Sequence, residues 1–187
     1  AVTTAQISKE LNVSVETVRR DFLALEEENR LVRVHGGAVF PTGSVERLSL
    51  EDRIGMNREG KRVLSEAACD FIKDGDIIAI DTGSTAAEFA DILRLRFNEL
   101  TVITHSIDVF ERLQGKNGFK IILVGGTFMP DEKAFCGITA LETYKMLHFD
   151  KVFITPAAVS LKNGITDCGE VLMTVERQML ESADQVF

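Results

Sequence analysis

The chain of 187 residues is 45% hydrophobic and carries 21 lysines and arginines against 29 acids, a formal charge of −8. That is enough apolar matter for a sizeable core in one large domain or two smaller ones, and the acidity excludes a protein that coats nucleic acid over its whole surface. No apolar run approaches the ~20 residues that span a bilayer and no signal-peptide pattern opens the chain, so a cytoplasmic protein without a membrane partner is expected.

From the N-terminus, Thr3-Thr4-Ala5-Gln6 fits a helix start in which Thr3 caps and Gln6 reaches back, with Ile7 and Leu11 on one face. Asn12 and Val13 interrupt it. Ser14 is a good N-cap, and Val15, Val18, Phe22 and Leu25 then form an apolar stripe, which predicts a second helix to about Glu28. Asn29 tolerates the left-handed conformation that ends many helices. LVRVHGGAVF, residues 31–40, predicts two short strands joined at His35-Gly36-Gly37.

Helix, turn, helix and hairpin is the order of a winged helix-turn-helix, whose second helix fits the major groove while the hairpin reaches the adjacent backbone. Residues 1–40 hold five lysines and arginines against six acids, so the acidity lies in the remainder. The stripe serves any small helical core. It does not account for Ser14, Glu16, Thr17, Arg19 and Arg20 on the early turns of the second helix, or for Arg33, His35 and Gly36 in the hairpin; these are the candidate DNA-binding residues.

The run SVETVRRDFLALEEENRLVRVHGGAVF resembles the signature of the DeoR family of bacterial transcriptional regulators, S-x-x-T-[IV]-R-R-D-[LF]-x-x-L-E followed by R-V-H-G-G-A. Ser14, Thr17 to Phe22, Leu25, Glu26 and Arg33 to Ala38 match it, and Asn29 stands where the family usually has glycine. The family carries a further helix ahead of the one at Thr3, so the resemblance implies a truncated winged helix-turn-helix over residues 1–40.

Residues 41–60, PTGSVERLSLEDRIGMNREG, mix Pro, Gly, Ser and charges with little periodicity and are expected to form a linker. Beyond them helices are predicted at 61–72, 84–95, 107–114, 138–147 and 171–183, alternating with strands IIAID, TVIT, KIILV and KVFIT and a last one from Gln185. Such alternation predicts an α/β domain over 61–187 with a mainly parallel, doubly wound sheet.

The stretch IIAIDTGST places a polar turn between a strand and a helix, where free N–H groups and the positive helix end favour an anion. Ser84 and Thr85 can hold a phosphate, Gly83 lets backbone approach, and Asp81 can accept from sugar hydroxyls. The same turn can also be a plain helix cap, Gly125-Gly126 a plain turn, and Lys61 a solvated helix residue.

Here too the sequence resembles the DeoR family, whose sensor domain is similar in fold to ribose-phosphate isomerase and glucosamine-phosphate deaminase. D-[ST]-G-[ST]-T corresponds to Asp81, Thr82, Gly83, Ser84 and Thr85, T-N-S to Thr104, His105 and Ser106, and a glycine pair after a strand to Gly125 and Gly126. The resemblance implies an effector site at these positions, with Glu170 as the nearest acid to the family's acidic residue in its last long helix. Departures are His105 in place of asparagine, Glu176-Arg177 in place of Lys-Arg, and a chain that stops at Phe187 before the family's S-K-[FL] motif, so that the sensor domain is expected to lack its C-terminal end.

Cys69, Cys136 and Cys168 form no CxxC pair, and His35, His105 and His148 lack metal-ligand spacing, so neither disulfides, metal nor cofactor is expected. Two functions are compatible with the domain order. One is a regulator, a repressor of sugar-metabolism genes, which binds operator DNA as a dimer or tetramer and responds to a phosphorylated sugar. The other is a sugar-phosphate isomerase or deaminase, which needs a positioned base. Asp81, His105 and Glu170 stand without a second catalytic partner at motif spacing, and neither Cys136 nor Cys168 has a recognisable base. A regulator with no catalytic residues is therefore expected.

Overall fold

The computed structural model describes residues 2–28, 30–39, 48–167 and 169–187. The chain divides into two compact units, 1–47 and 48–187.

The first unit contains β1 (Val2–Thr3), α1 (Thr4–Leu11), α2 (Val15–Glu27), β2 (Val32–Val34) and β3 (Gly37–Val39). The Thr3 side chain accepts from Gln6 N while Gln6 Oε1 accepts from Thr3 N, the capping box that the sequence predicts. Asn12, in the left-handed region at φ 53°, closes α1, and the Ser14 hydroxyl accepts from Thr17 N to open α2. The strands form one antiparallel sheet in the order β1-β3-β2. Val18, Phe22 and Ala38 are its buried core, with Ile7 and Leu31 packed against them. Val15 departs from the expected stripe, being 39% exposed, because it sits in the first turn, ahead of the core contact. The expected helix end at Asn29 and the segment 40–47 lie outside the described residues.

The stretch expected to be a linker is partly helical: α3 spans Leu50–Gly55 and α4 spans Arg58–Cys69. Ser49 caps α3 by accepting from Asp52 N, and Leu50 is buried, so local capping and one apolar anchor outweigh the polar composition. Lys61 is not merely a solvated residue of α4. Its ammonium donates to the carbonyls of Arg53 and, at 2.7 Å, Met56, satisfying groups at the end of α3.

There follow β4 (Ile77–Ile80), α5 (Ser84–Arg96), β5 (Leu100–Thr104), α6 (Ile107–Leu113) and β6 (Phe119–Leu123). Then come β7 (Thr127–Met129), a 3₁₀ turn at Pro130–Glu132, β8 (Ala134–Cys136), α7 (Gly137–Lys145), β9 (Phe149–Phe153), β10 (Ala158–Ser160), β11 (Gly164–Thr166), α8 (Glu170–Glu181) and β12 (Ala183–Val186). The main sheet is wholly parallel, in the order β12-β9-β4-β5-β6. The hairpins β7–β8 and β10–β11 are short antiparallel additions without a signal in the sequence reading.

Alternation along the strands builds both faces of this sheet. Ile78, Ile80, Val102 and Phe153 pack with Ala86, Phe89, Ala90 and Leu93 of α5 and with Val109 and Leu113 of α6. Ala79, Ile103 and Val152 pack on the opposite side with Tyr144 of α7 and Leu172, Val175 and Met179 of α8. The chain leaves β4 for β5 and β6 on one side and later fills β9 and β12 on the other, so the strand order reverses between β4 and β9. In such sheets the crevice beyond the carboxyl ends of the strands at that reversal is the ligand position.

Candidate functional site

In the first unit, a groove of about 900 Å³ runs between α2 and the β2–β3 turn. Ser14, Glu16, Thr17, Arg19, Arg20, Arg33, His35 and Gly36, the eight residues singled out in the sequence, all line it. Ser14 and Thr17 share a hydroxyl–hydroxyl bond of 2.8 Å, and Arg19 pairs with Glu16 at 3.4 Å. Arg33 is engaged differently. Its Nε donates to Glu26 Oε2 at 2.7 Å and its backbone N–H to Glu26 Oε1 at 2.8 Å, clipping the hairpin to α2. These two bonds hold the Glu26 carboxyl below its ordinary range. Arg20 is exposed and, among the described residues, has no ion pair.

In the second unit, Asp81 to Thr85 lie between β4 and α5, at the strand-order reversal. Gly83 has φ 115°, a region that L side chains rarely adopt, and a Cβ there would stand 3.3 Å from Thr155 Oγ1. Gly83 is the N-cap of α5 and offers no side-chain cap, whereas α2, α3 and α6 are capped by Ser14, Ser49 and Ser106. The first N–H groups of α5, beside the Ser84 and Thr85 hydroxyls, are therefore left for a ligand, and the helix dipole favours an anion there.

Thr155, just beyond β9, braces the turn. Its N–H donates to Asp81 Oδ2 at 3.1 Å and its hydroxyl to the Thr82 carbonyl at 2.6 Å. Across the turn, the Thr82 hydroxyl donates to the Glu132 carbonyl at 3.0 Å, and Glu132 Oε2 accepts from Arg53 Nη2 of α3 at 2.5 Å. Thr155, Glu132 and Arg53 were not among the candidate residues. Thr155 carries a findable signal, the end of KVFIT in the strand beside β4; Arg53 lies in the stretch read as linker and carries none.

Asp81 and His105 are buried together, with Asp81 Oδ1 3.6 Å from His105 Nε2. That is too long for a hydrogen bond. Burial dominates both groups: it raises Asp81 to about 6, against the lowering effect of the Thr155 and Thr82 N–H groups, and lowers His105 to about 4. His105 is thus neutral at pH 7. Burial also raises the Tyr144 hydroxyl well above its usual range, so it stays protonated; it lies 3.1 Å from His105 Nδ1. The hydroxyl and Nδ1 share one hydrogen bond, in which the imidazole tautomer decides which of them donates.

The remaining candidates divide. The Ser106 hydroxyl accepts from Val109 N as the cap of α6. Gly126 packs so closely that a Cβ would meet the Cys136 carbonyl at 2.3 Å, whereas Gly125 faces open space. Glu170 is exposed at the start of α8, and among the described residues no hydrogen bond or ion pair joins it to the turn. Asp167, not singled out in the sequence, is near enough for its charge to help raise Asp81. Cys69 and Cys136 are buried thiols pushed up by burial, Cys69 to about 11, opposite to the shift a nucleophile needs; Cys168 lies outside the described residues.

Residues 1–43 match the family model of the DeoR-like helix-turn-helix domain, and residues 56–187 that of the DeoR C terminal sensor domain. The chain belongs to the DeoR family. It is a DNA-binding transcriptional regulator rather than an enzyme. Relatives include the HTH-type transcriptional repressor GlcR of Bacillus subtilis, 35% identical over all of this chain and 71% of its own length. The lactose phosphotransferase system repressor of Lactococcus lactis is 32% identical over all of this chain and 73% of its own. A putative aga operon transcriptional repressor of Escherichia coli O157:H7 is 30% identical over 94% of this chain and 65% of its own. Among solved structures, a D-ribose-5-phosphate isomerase in complex with phospho-erythronic acid aligns at a TM-score of 0.50 and 16% identity, over 69% of this chain and 50% of that one. This likeness is one of fold. Among the described residues no helix is long and apolar enough to cross a membrane.

Proposed function

We propose that this DeoR-family chain represses sugar-metabolism genes and that a phosphorylated sugar, bound at the turn Asp81–Thr85, controls its affinity for operator DNA. The observation that carries this is the uncapped N-terminus of α5 at the strand-order reversal, with Ser84 and Thr85 on it and the Asp81 carboxyl beside it. One end of that arrangement suits a phosphate and the other suits sugar hydroxyls. The relatives' names, repressors of sugar-related operons, support the same class of target. By the family resemblance His105, with its neighbours Ser106, Gly125 and Gly126, and Glu170 at the start of α8 belong to the same effector site.

On the DNA side, α2 enters the major groove, with Ser14, Glu16, Thr17, Arg19 and Arg20 towards bases and phosphates and Arg33, His35 and Gly36 towards the adjacent backbone. The regulator works as a homo-oligomer, dimer or tetramer, in the cytoplasm, because operators for such readers present paired half-sites. The test is a screen of phosphorylated sugars, each against its unphosphorylated parent, by thermal unfolding of the wild-type chain and of Ser84→Asp. A phosphate-dependent stabilisation that Ser84→Asp abolishes supports the site. Stabilisation unchanged in the variant places the phosphate elsewhere.

A further inference from the structure

Arg53 stands over the anion turn without any motif to announce it. Its three donor nitrogens are differently engaged: Nε donates to the Leu48 carbonyl at 3.1 Å, Nη2 to Glu132 Oε2 at 2.5 Å, and Nη1 has no hydrogen bond among the described residues. The same Nη1 is the atom that a Cβ on Gly83 would approach to 4.0 Å. A guanidinium is thereby aimed at the N-cap of α5, where the helix leaves its first N–H groups uncapped. At the start of the same turn Asp81 Oδ1, on a side chain only 2% exposed and facing His105, is a second polar atom lacking a hydrogen-bond partner among the described residues.

Glu132 is the counterweight. It is 4% exposed, its carboxylate pairs with Arg53, and its backbone carbonyl accepts from the Thr82 hydroxyl within the turn. A phosphate dianion at the α5 N-terminus would present the same fork-matching oxygens as that carboxylate, with more charge and in a site already polarised by the helix end. The two anions then compete for one guanidinium.

We propose that Arg53 is a phosphate-binding residue of this site, held in reserve by Glu132: the ligand's phosphoryl group engages Nη1 and takes Nη2 from the Glu132 carboxylate. This rests on the reading of the turn as the phosphate position. The neighbouring Lys61 ammonium is committed to the carbonyls of Arg53 and Met56, whereas Arg53 keeps Nη1 without a hydrogen bond among the described residues.

The experiment is calorimetric titration of inorganic phosphate into the whole chain and its Arg53→Gln, Glu132→Gln, double and Ser84→Asp variants, with thermal melts as a folding control. Arg53→Gln is expected to weaken phosphate about tenfold, the worth of one charge-assisted contact. Glu132→Gln, which keeps shape but removes the competing charge, is expected to tighten it several-fold, and the double variant to bind like Arg53→Gln alone. Phosphate that binds wild type and is lost in Ser84→Asp, yet is indifferent to Arg53→Gln and Glu132→Gln, overturns the role of Arg53 and leaves the site standing. Phosphate that binds with equal strength to Ser84→Asp, or fails to bind wild type at all, overturns the site and Arg53 with it. Should Arg53→Gln not fold, tightening by Glu132→Gln alone decides the matter.

Discussion

Asp81 Oδ1 and His105 Nε2 face each other across 3.6 Å, both buried and neither hydrogen-bonded among the described residues. Burial acts on them in opposite senses. Asp81 is raised from 3.8 to about 6, so it contributes stability that is present below about pH 3.8 and lost as pH rises through about 6. His105 is lowered from 6.5 to about 4, so it contributes stability that is present above about pH 6.5 and lost as pH falls through about 4. Over the shared window the two slopes cancel.

Replacing His105 with asparagine, the residue that the family resemblance leads one to expect, should unmask Asp81. Relative to wild type, His105→Asn is expected to gain stability at about 1.4 kcal/mol per pH unit as pH falls from about 6 to about 4. Asp81→Asn should show the opposite trend over the same range. Urea unfolding of the three proteins across that window reads both slopes. Parallel curves would mean that neither group's proton binding changes on folding over that range, and would overturn both shifts.

The glycine pair after β6 should split by mechanism. A Cβ at Gly126 would meet the Cys136 carbonyl at 2.3 Å, while Gly125 has nothing within 4 Å. Gly126→Ala is therefore expected to cost about 1–3 kcal/mol by forcing β8 away, and Gly125→Ala to leave stability unchanged. Denaturant midpoints measure both. If Gly125→Ala abolishes phosphate-sugar binding in a normally stable protein, Gly125 is where the ligand approaches the backbone.

On the DNA side, Arg20 and Arg33 should fail in different ways. Arg20 has no ion pair among the described residues, so Arg20→Ala is expected to weaken operator binding and lower its salt slope by about one, with folding unaffected. Arg33 holds the hairpin to Glu26, so Arg33→Ala is expected to loosen the hairpin even without DNA. Binding isotherms across a salt series, with hydrogen exchange of residues 32–39, separate the two. An unaltered salt slope in Arg20→Ala would remove Arg20 from the phosphate backbone.

How much of this was legible beforehand depended on periodicity and motif. Strand–helix alternation from Ile77 onward gave the parallel sheet, because a strand buried on both faces is a short apolar run and its helices carry a plain stripe. The capping box at Thr3 and Gln6 and the turn at Asp81–Thr85 were visible for the same reason: local hydrogen-bond chemistry dictates the residue types. Helix α3 was not, since six residues with one buried leucine make no period. Arg53, Glu132, Thr155 and Tyr144 reach the site from four separate places in the chain. Only the fold brings them together, and no spacing in the sequence encodes it.

The last expectation concerns transmission. A ligand can regulate only by preferring one state of the regulator, since equal affinity for both shifts nothing. Helix α3 is the first element of the sensor unit in chain order, and it is fastened by Arg53–Glu132, by Lys133 Nζ to Glu51 at 3.1 Å, and by Lys61 at its end. A phosphate that takes Arg53 from Glu132 changes that fastening directly behind the segment leading from the DNA-binding unit. The cognate sugar phosphate is therefore expected to weaken operator affinity by about 5- to 150-fold, and operator DNA to weaken sugar-phosphate affinity by the same factor. Glu132→Gln and Arg53→Gln each remove the Arg53–Glu132 fastening, so both should lower operator affinity even without ligand and shrink the further change that ligand causes. Titrations in both directions at one salt concentration measure the two factors. Saturating ligand that leaves operator affinity unchanged would make the turn a binding site without a regulatory role, and a rise in affinity would make the ligand a corepressor.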